Sequence, residues 1–543
     1  MKHNNIFKFS IIVVSMLTLS ACTKLDKKIY SVVPNQNFWQ TPAQIAAGIA
    51  PAYANLSQIP AGEYQNLMEH SADGQLTPAR GADWLAAGQH IEMWTHTWHA
   101  ETEAVVNTWP DLYRGISNIN FILSVVNSLD PVPADLASIN AELKTLRALY
   151  YYWAMDLYGN VPLVTDFNTD PTTITNSTRK QVYDFVESEI KENINSLSTT
   201  VGLATYGRVT KYLAFTILAK LYLNSEIYVN QPRWAEARDV CDSVILSNKY
   251  SLMTNYYDNF SPTNEGSTEN IFAVPFDNVN IAGNNIQTQT LHYDNEPNMR
   301  IRGGGWNGYC SNAEFYSNFD TTSVYAKRGQ NTYRTFLDAR SGQYLIGQQF
   351  KEVYNYPPST NVLVASDNDA LRLVDKQTGK LLSFYANIKE VNNPTDTFRL
   401  AGLRSIKFFP TPGVQTAMSN DFPLYRLADV LLMRAEASMR NGSASGVDLG
   451  YVNQVRTRAY GGDATKNWSM ADMTLPNMLA ERARELAWED HRRTDVIRFG
   501  TFGNARTPAK AQDPDRHLEI FPIPKAQYLT NPNLKQNPGY PAF

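Results

Sequence analysis

The chain has 543 residues, 43% hydrophobic and 12% aromatic, and carries a formal net charge of −4. A chain of this length and composition buries a large core, and its mild acidity argues against nucleic acid as a partner. Three cysteines, Cys22, Cys241 and Cys310, are too few and too scattered for a disulfide framework, so stability must come from packing.

At the N-terminus Lys2 and Lys8 flank a short polar start, and an apolar run over 9–19 ends in Leu19-Ser20-Ala21-Cys22. The run is too short to cross the roughly 30 Å hydrocarbon layer as a helix. It reads as a secretory signal with small residues before the cleavage point. The expectation is a lipoprotein signal peptide over 1–21, lipidation of Cys22 and a tether over 22–40. Buried acyl chains contribute about 0.8 kcal/mol per CH₂, so several on one cysteine attach a domain without spanning the membrane. Loss of the signal removes two lysines and no carboxylates, which moves the formal charge to −6.

Amphipathic spacing predicts helices over about 41–58, 104–129, 135–158, 179–197, 210–229 and 233–248, as in Leu213, Ile217, Leu218 and Leu221. Asp135 after Pro133, Thr210 before Lys211, and Gln231-Pro232 before Arg233 mark helix starts; Gly159 and Pro162 stop the third helix. Paired helices of this length suggest a tetratricopeptide-like arrangement over 41–250, without the strict repeat consensus. From 251 to 420 Asn, Gly, Pro, Thr and aromatic residues cluster, and an irregular insertion is expected. Long irregular segments held by a rigid scaffold commonly shape functional sites. Helical patterns return over 421–441, 446–459 and 474–499, and a Pro-rich tail closes the chain. The two ends, 41–250 and 421–543, are read as one helical platform supporting the inserted lobe.

Within 479–500, Glu481, Arg482, Glu485, Glu489, Arg492 and Arg493 recur at three- and four-residue spacing, which brings opposite charges together on a helix. Glu485 and Glu489 could be a glycosidase pair, which needs two carboxyls roughly 5 to 10 Å apart. Interleaved arginines instead favour both groups staying ionised, whereas a general acid needs a raised pKa. The structural reading is preferred. The tail motifs Phe521-Pro522-Ile523-Pro524 and Asn537-Pro538-Gly539-Tyr540 read as an extended strip packed on the helices.

The segments "FPLYRLADVLLMRAEASMRNG" at 422–442, "LAERARELAWEDHRRTDVIRFG" at 479–500 and "LEIFPIPKAQYLTNPNLKQNPGY" at 518–540 resemble the C-terminal helices and closing tail of the SusD/RagB family. "RALYYYWAMDLYGNVPLV" at 147–164 and "GRVTKYLAFTILAKLYL" at 207–223 are similar to two more of its helices, in the same order. The resemblance implies a mainly α fold with tetratricopeptide-like helix pairs. It implies a lipid-anchored outer-membrane protein facing the cell exterior that binds oligosaccharides, sits over a SusC-like TonB-dependent transporter, and is not an enzyme. RagB-like relatives of the same fold resemble peptide receptors, which leaves peptide capture as the alternative; a glycoside hydrolase is a weaker one.

Sugars present apolar C–H faces and polar rims, so a site needs exposed aromatic rings flanked by amides or charges. Two segments fit. The first, 73–99, places Asp73, Arg80, Asp83 and Trp84 among Gly74, Gly81 and Gly88; the second, 302–316, sets Trp306 and Tyr309 after three glycines and beside Asn307 and Asn312. Asp73, Arg80, Trp84, Trp306 and Tyr309 are therefore the expected ligand contacts, in regions where the family carries an aromatic arc. Trp94, Trp98, Trp109 and Tyr113 read as core. His90, His96 and His99 lack the spacing of a zinc motif, so no metal is expected there. The oxygen-rich loop 255–270 would suit only a structural calcium, and no other cofactor is implied. No Gly-x-Ser-x-Gly elbow, Walker loop or His-Glu-x-x-His motif is present.

Overall fold

A computed structural model describes residues 38–39 and 41–543, except 86, 87, 282, 394, 396 and 397. The expected signal peptide, Cys22 and all but two residues of the tether lie outside the described residues. The chain divides into two compact units, one ending at Gly48 and one running Ile49–Phe543. In the first, the Trp39 ring lies so close to Gly48 that a Cβ added there would meet it at 2.2 Å.

The second unit is mainly helical, and its local signals explain where helices start and stop. Thr178 and Gln181 form a reciprocal capping box at the head of Arg179–Asn193, and Thr210 caps Lys211–Leu223. Gly159, in a left-handed conformation at φ +67°, closes Leu136–Tyr158. Residues 145–158 of that helix are buried on every side, which marks it as a central helix. It packs against both Glu103–Val126 and Arg179–Asn193. Its Asp156 accepts from Arg493 at 2.7 Å, linking it to the C-terminal helices. There Leu427–Arg440, Gly446–Ala459 and Leu475–Leu486 share an apolar core of Leu431, Leu432, Val452, Val455 and Met478.

Three elements depart from the periodicity: the helix expected over 210–229 breaks at Asn224 into Lys211–Leu223 and Ser225–Val229, and two others differ more. The helix expected to begin at 421 is preceded by the strand Phe422–Arg426, which pairs antiparallel with Asn270–Val274 through irregular register. This pair closes the neck of the irregular lobe. The helix expected over 474–499 breaks into Leu475–Leu486 and Arg492–Arg498, with Trp488 and Asp490 at φ +64° and +60°. Buried donors compensate for the break: Lys407 Nζ reaches the carbonyls of Glu485 and Ala487, and Tyr256 and Arg426 also donate to the Glu485 carbonyl. Inside the lobe, Ser323–Arg328, Asn331–Phe336 and Val362–Ser366 form a three-stranded antiparallel sheet, and shorter pairs join Tyr344–Leu345 to Arg404–Ser405 and Gly347–Gln348 to Ser383–Phe384. No described helix is long and apolar enough to cross a membrane.

Candidate functional site

The two glycine-rich segments meet. Leu76 and Cys310 exchange backbone hydrogen bonds at 2.9 Å, and Ser311 bridges to Leu403 in the same way. The glycines let the second segment lie flat against 288–293: a Cβ added to Gly304 would stand 1.8 Å from the Tyr293 carbonyl oxygen, and one on Gly305 2.0 Å from that of Leu291. With no side chain at Gly304 and Gly305 to hold the two segments apart, the amides of Gly305, Trp306 and Asn307 donate to the carbonyls of His292, Thr288 and Leu291 at 3.1, 2.6 and 2.8 Å. Gly308 lies beneath the Trp84 ring, where a Cβ would come within 2.3 Å of it.

Trp84 is held in a left-handed conformation at φ +59°, and its indole Nε1 donates to the Trp306 carbonyl at 2.6 Å. Its ring rests against His90 and Tyr309, with centroids 5.4 and 5.8 Å away. Trp306 is 40% exposed and Trp84 half-buried. Beside them Asp83 accepts from the Tyr293 hydroxyl at 2.6 Å, and the Arg399 guanidinium stands 4.5 Å from the Tyr293 ring centre. Burial and the bond to Asp83 both push the Tyr293 phenol up, so it remains a donor at neutral pH. The surface thus presents the anchored Trp84 and Tyr293 rings and the exposed Trp306 ring, with a carboxylate among them. Sequence reasoning missed Tyr293. It lies in a stretch without periodicity, and only the flat approach of the glycine run brings it to Trp84.

The other expected contacts lie behind this surface. Arg80 is 1% exposed, and its guanidinium donates to the carbonyls of Asn307, Phe398 and Ala401 at 3.0, 2.6 and 2.6 Å. It braces the Trp306 loop from within and has no open donor face for a sugar hydroxyl, which corrects its expected role. Tyr309 is 4% exposed and donates to Asn66 Oδ1 at 3.1 Å, so its ring supports Trp84 from below. Asp73 pairs with Arg492 through both oxygens, at 2.6 and 2.8 Å. Burial alone would raise its carboxyl, but Arg492 outweighs that and holds it below the usual range. Asp73 is therefore committed to a structural ion pair.

Trp94, Trp98 and Trp109 are buried, and Tyr113 stacks on Trp109 at 4.8 Å. His96 is buried between Asp513, the Ser71 carbonyl and Arg506; His90 packs against Trp84, and His99 is exposed. Neither His90 nor His96 takes up a proton readily, because burial pushes both down to about 4. Behind Tyr293, His292, Asp294 and Asp375 place ligand atoms within 4.8 Å of one another. Arg399 and Lys376 already pair with the two carboxylates at 2.8 and 3.3 Å. Burial and the nearby Arg404, Arg399 and Arg80 lower His292 to about 2, an environment hostile to a further cation. In the loop 255–270, Glu269 is engaged by Arg426, Arg458 and Asn259, and Asp258 by Asn255 and Tyr356.

Glu485 and Glu489 are fully buried. Arg426 bridges them and Glu269, Arg458 and Arg340 add further bonds to Glu485, and Lys407 pairs with Glu489. Burial raises the Glu485 carboxyl, but Arg458, Arg426 and Arg340 outweigh it and hold it at about 2. Neither carboxylate meets a substrate-accessible surface, and Glu485 stays ionised, as its interleaving with arginine predicts.

Residues 268–540 match the family model described as the SusD family, and residues 25–223 match one described as starch-binding associating with outer membrane. The starch-binding protein SusD of Bacteroides thetaiotaomicron is 25% identical over 472 residues, covering 82% of this chain and 80% of that protein. A SusD superfamily protein from Parabacteroides distasonis superposes with a TM-score of 0.70 at 20% identity, over 92% of this chain and 99% of its own. Surface glycan-binding protein A from Bacteroides thetaiotaomicron, solved in complex with laminarihexaose, gives 0.65 at 19% identity over 91% and 99%.

Proposed function

Because this chain belongs to the SusD/RagB family, we propose that it captures oligosaccharides at the outer surface of an outer membrane and passes them to a SusC-like TonB-dependent transporter. The observation that carries the reading is that the half-buried Trp84 ring is tied by its indole N–H to the Trp306 backbone carbonyl, which sets it next to a residue that is itself 40% exposed. A ring fixed like that of Trp84 offers a flat apolar face to sugar C–H surfaces without losing much rotamer freedom on binding. Tyr293 and Asp83 supply polar atoms at the rim. The relatives named for starch binding and for laminarihexaose support the ligand class.

Such a site holds its ligand non-covalently, and no group in it is placed for bond cleavage. A shallow surface leaves much of a glycan hydrated, so dissociation constants from micromolar to millimolar, about −8 to −4 kcal/mol, are expected. Weak capture permits release. Acylation of Cys22 would keep the protein at the membrane, and docking on the transporter would make transfer intramolecular, raising the effective concentration of sugar at its mouth.

The test is retardation of the mature chain in native gels containing a panel of polysaccharides, with Trp84→Ala and Trp306→Ala alongside. Retardation by one glycan class, lost in either variant, is the expected result. Binding to peptides with no retardation by any glycan would move the protein to the RagB-like side.

A further inference from the structure

The irregular lobe contains a second cleft, built from residues that the aromatic surface does not use. Its volume is about 560 Å³, and its walls include Met253, Asp258, Met299, Arg300, Tyr356 and Phe409. That size falls in the range of sites for small ligands. Tyr356 is 38% exposed yet fixed at both ends of its ring: the hydroxyl donates to Asp258 Oδ1 at 2.6 Å, and the ring meets Phe409 edge to face at 5.7 Å. This is a second anchored aromatic platform of the kind Trp84 provides.

Arg300 gives the cleft its chemical character. It ends the short turn Glu296–Met299 in a left-handed conformation at φ +56°, a place where glycine or asparagine is the easier residue. Its backbone is secured, with N–H donating to the Glu296 carbonyl at 2.9 Å and its own carbonyl accepting from Gly413 at 2.8 Å. The side chain is exposed and makes no hydrogen bond, ion pair or ring contact among the described residues. The contrast with Arg80, Arg340, Arg404 and Arg426 is complete, because each of those is spent on internal acceptors. Arg300 therefore offers an unspent planar set of donors to the cleft that Tyr356 also lines, suited to a carboxylate on an otherwise apolar-faced ligand.

We propose that this cleft is a second carbohydrate subsite selective for acidic sugar units, in which Tyr356 stacks on a sugar face and Arg300 binds the carboxylate of a uronic acid. The inference rests on the reading of the protein as a glycan-capturing one and extends it to a ligand class. A polymer engaging both sites would gain from the second contact being intramolecular.

The experiment measures calorimetric binding of two probes, a galacturonic acid hexamer and neutral laminarihexaose, to the mature chain produced without its acyl anchor. It is read in the double variant Trp84→Ala/Trp306→Ala, so that the cleft is judged without the first site. The expected result is that the double variant still binds the acidic hexamer and not the neutral one. Adding Arg300→Gln or Tyr356→Ala should then weaken that binding at least tenfold, while Arg300→Lys keeps part of it. Arg300 is exposed, so Arg300→Gln serves if Tyr356→Ala perturbs the lobe. No binding of the acidic hexamer to the double variant, or binding indifferent to both Arg300→Gln and Tyr356→Ala, overturns the proposal. If the intact chain and the double variant behave alike while Tyr356 and Arg300 still matter, the cleft stands and the Trp84 surface falls.

Discussion

The buried ion-pair core around Arg426 and the aromatic surface around Trp84 are both dense in chemically capable side chains, yet only one is available to a ligand. In the core, Glu269, Glu485 and Glu489 are fully enclosed and share Arg426, Arg458, Arg340 and Lys407 as partners. On the surface, the half-buried Trp84 ring is anchored by a single indole hydrogen bond to the Trp306 carbonyl, and Trp306 keeps 40% of its area exposed. The lesson is that commitment, more than residue type, separates structure from function. A charge whose hydrogen-bonding capacity is filled from inside the protein has nothing left for a sugar.

The largest effect should come from breaking the core. Arg426→Met leaves three carboxylates without their common cation, and removal of one partner from a buried ion pair costs about 3–5 kcal/mol. Urea denaturation should show that loss as a lower midpoint with an unchanged slope. A midpoint close to that of the parent would mean the network is dispensable.

A second test uses pH. Burial, against Arg492 and Lys407, raises the Glu69 carboxyl to about 8, with Asp490 also nearby. In the unfolded chain the same group titrates near its ordinary 4.5. Between these values the folded state holds a proton that the unfolded state has released, so stability falls as pH rises, by about 1.4 kcal/mol per unit. Glu69→Gln cannot titrate and should flatten the decline measured between pH 6 and 8. An equally steep decline in the variant would assign it to another group.

Arg80 lies between the two regions, since it is committed like the core but sits directly under the surface. Arg80→Ala leaves the carbonyls of Asn307, Phe398 and Ala401 without their donor, a loss of about 1–3 kcal/mol. Glycan affinity should fall with it, because the Trp306 loop loses its brace. Loss of affinity with parental stability would return Arg80 to the role of a direct contact.

Most helix positions and the structural nature of Glu485 and Glu489 were legible in the sequence, because three- and four-residue periodicity and interleaved charge are local signals; the fold class followed from the resemblance of whole segments to the SusD/RagB family. Trp84 and Trp306 stood out as glycine-flanked aromatics, and the structure brings the two loops together. Arg80, Tyr309 and Asp73 looked equally available, since nothing local reveals that three carbonyls, an asparagine and Arg492 come from elsewhere in the chain to fill their valences. The helix break at 487–491 was hidden for the same reason, because the Lys407 and Arg426 donors that stabilise it are brought there only by the lobe and its neck strand.

The smallest change in stability should accompany the clearest change in binding. Trp306 is 40% exposed, so Trp306→Ala removes a ring that is still partly covered and should lower the folding free energy by about 1 kcal/mol. Glycan retardation should nevertheless disappear. Gly308→Ala sharpens the point without removing any ring, because the new Cβ would stand 2.3 Å from Trp84 and must displace it. If affinity depends on the Trp84 ring being held in place, this variant weakens binding while leaving both tryptophans present. If Gly308→Ala binds like the parent, ring identity alone matters, and the glycine-supported geometry under Trp84 is incidental to capture.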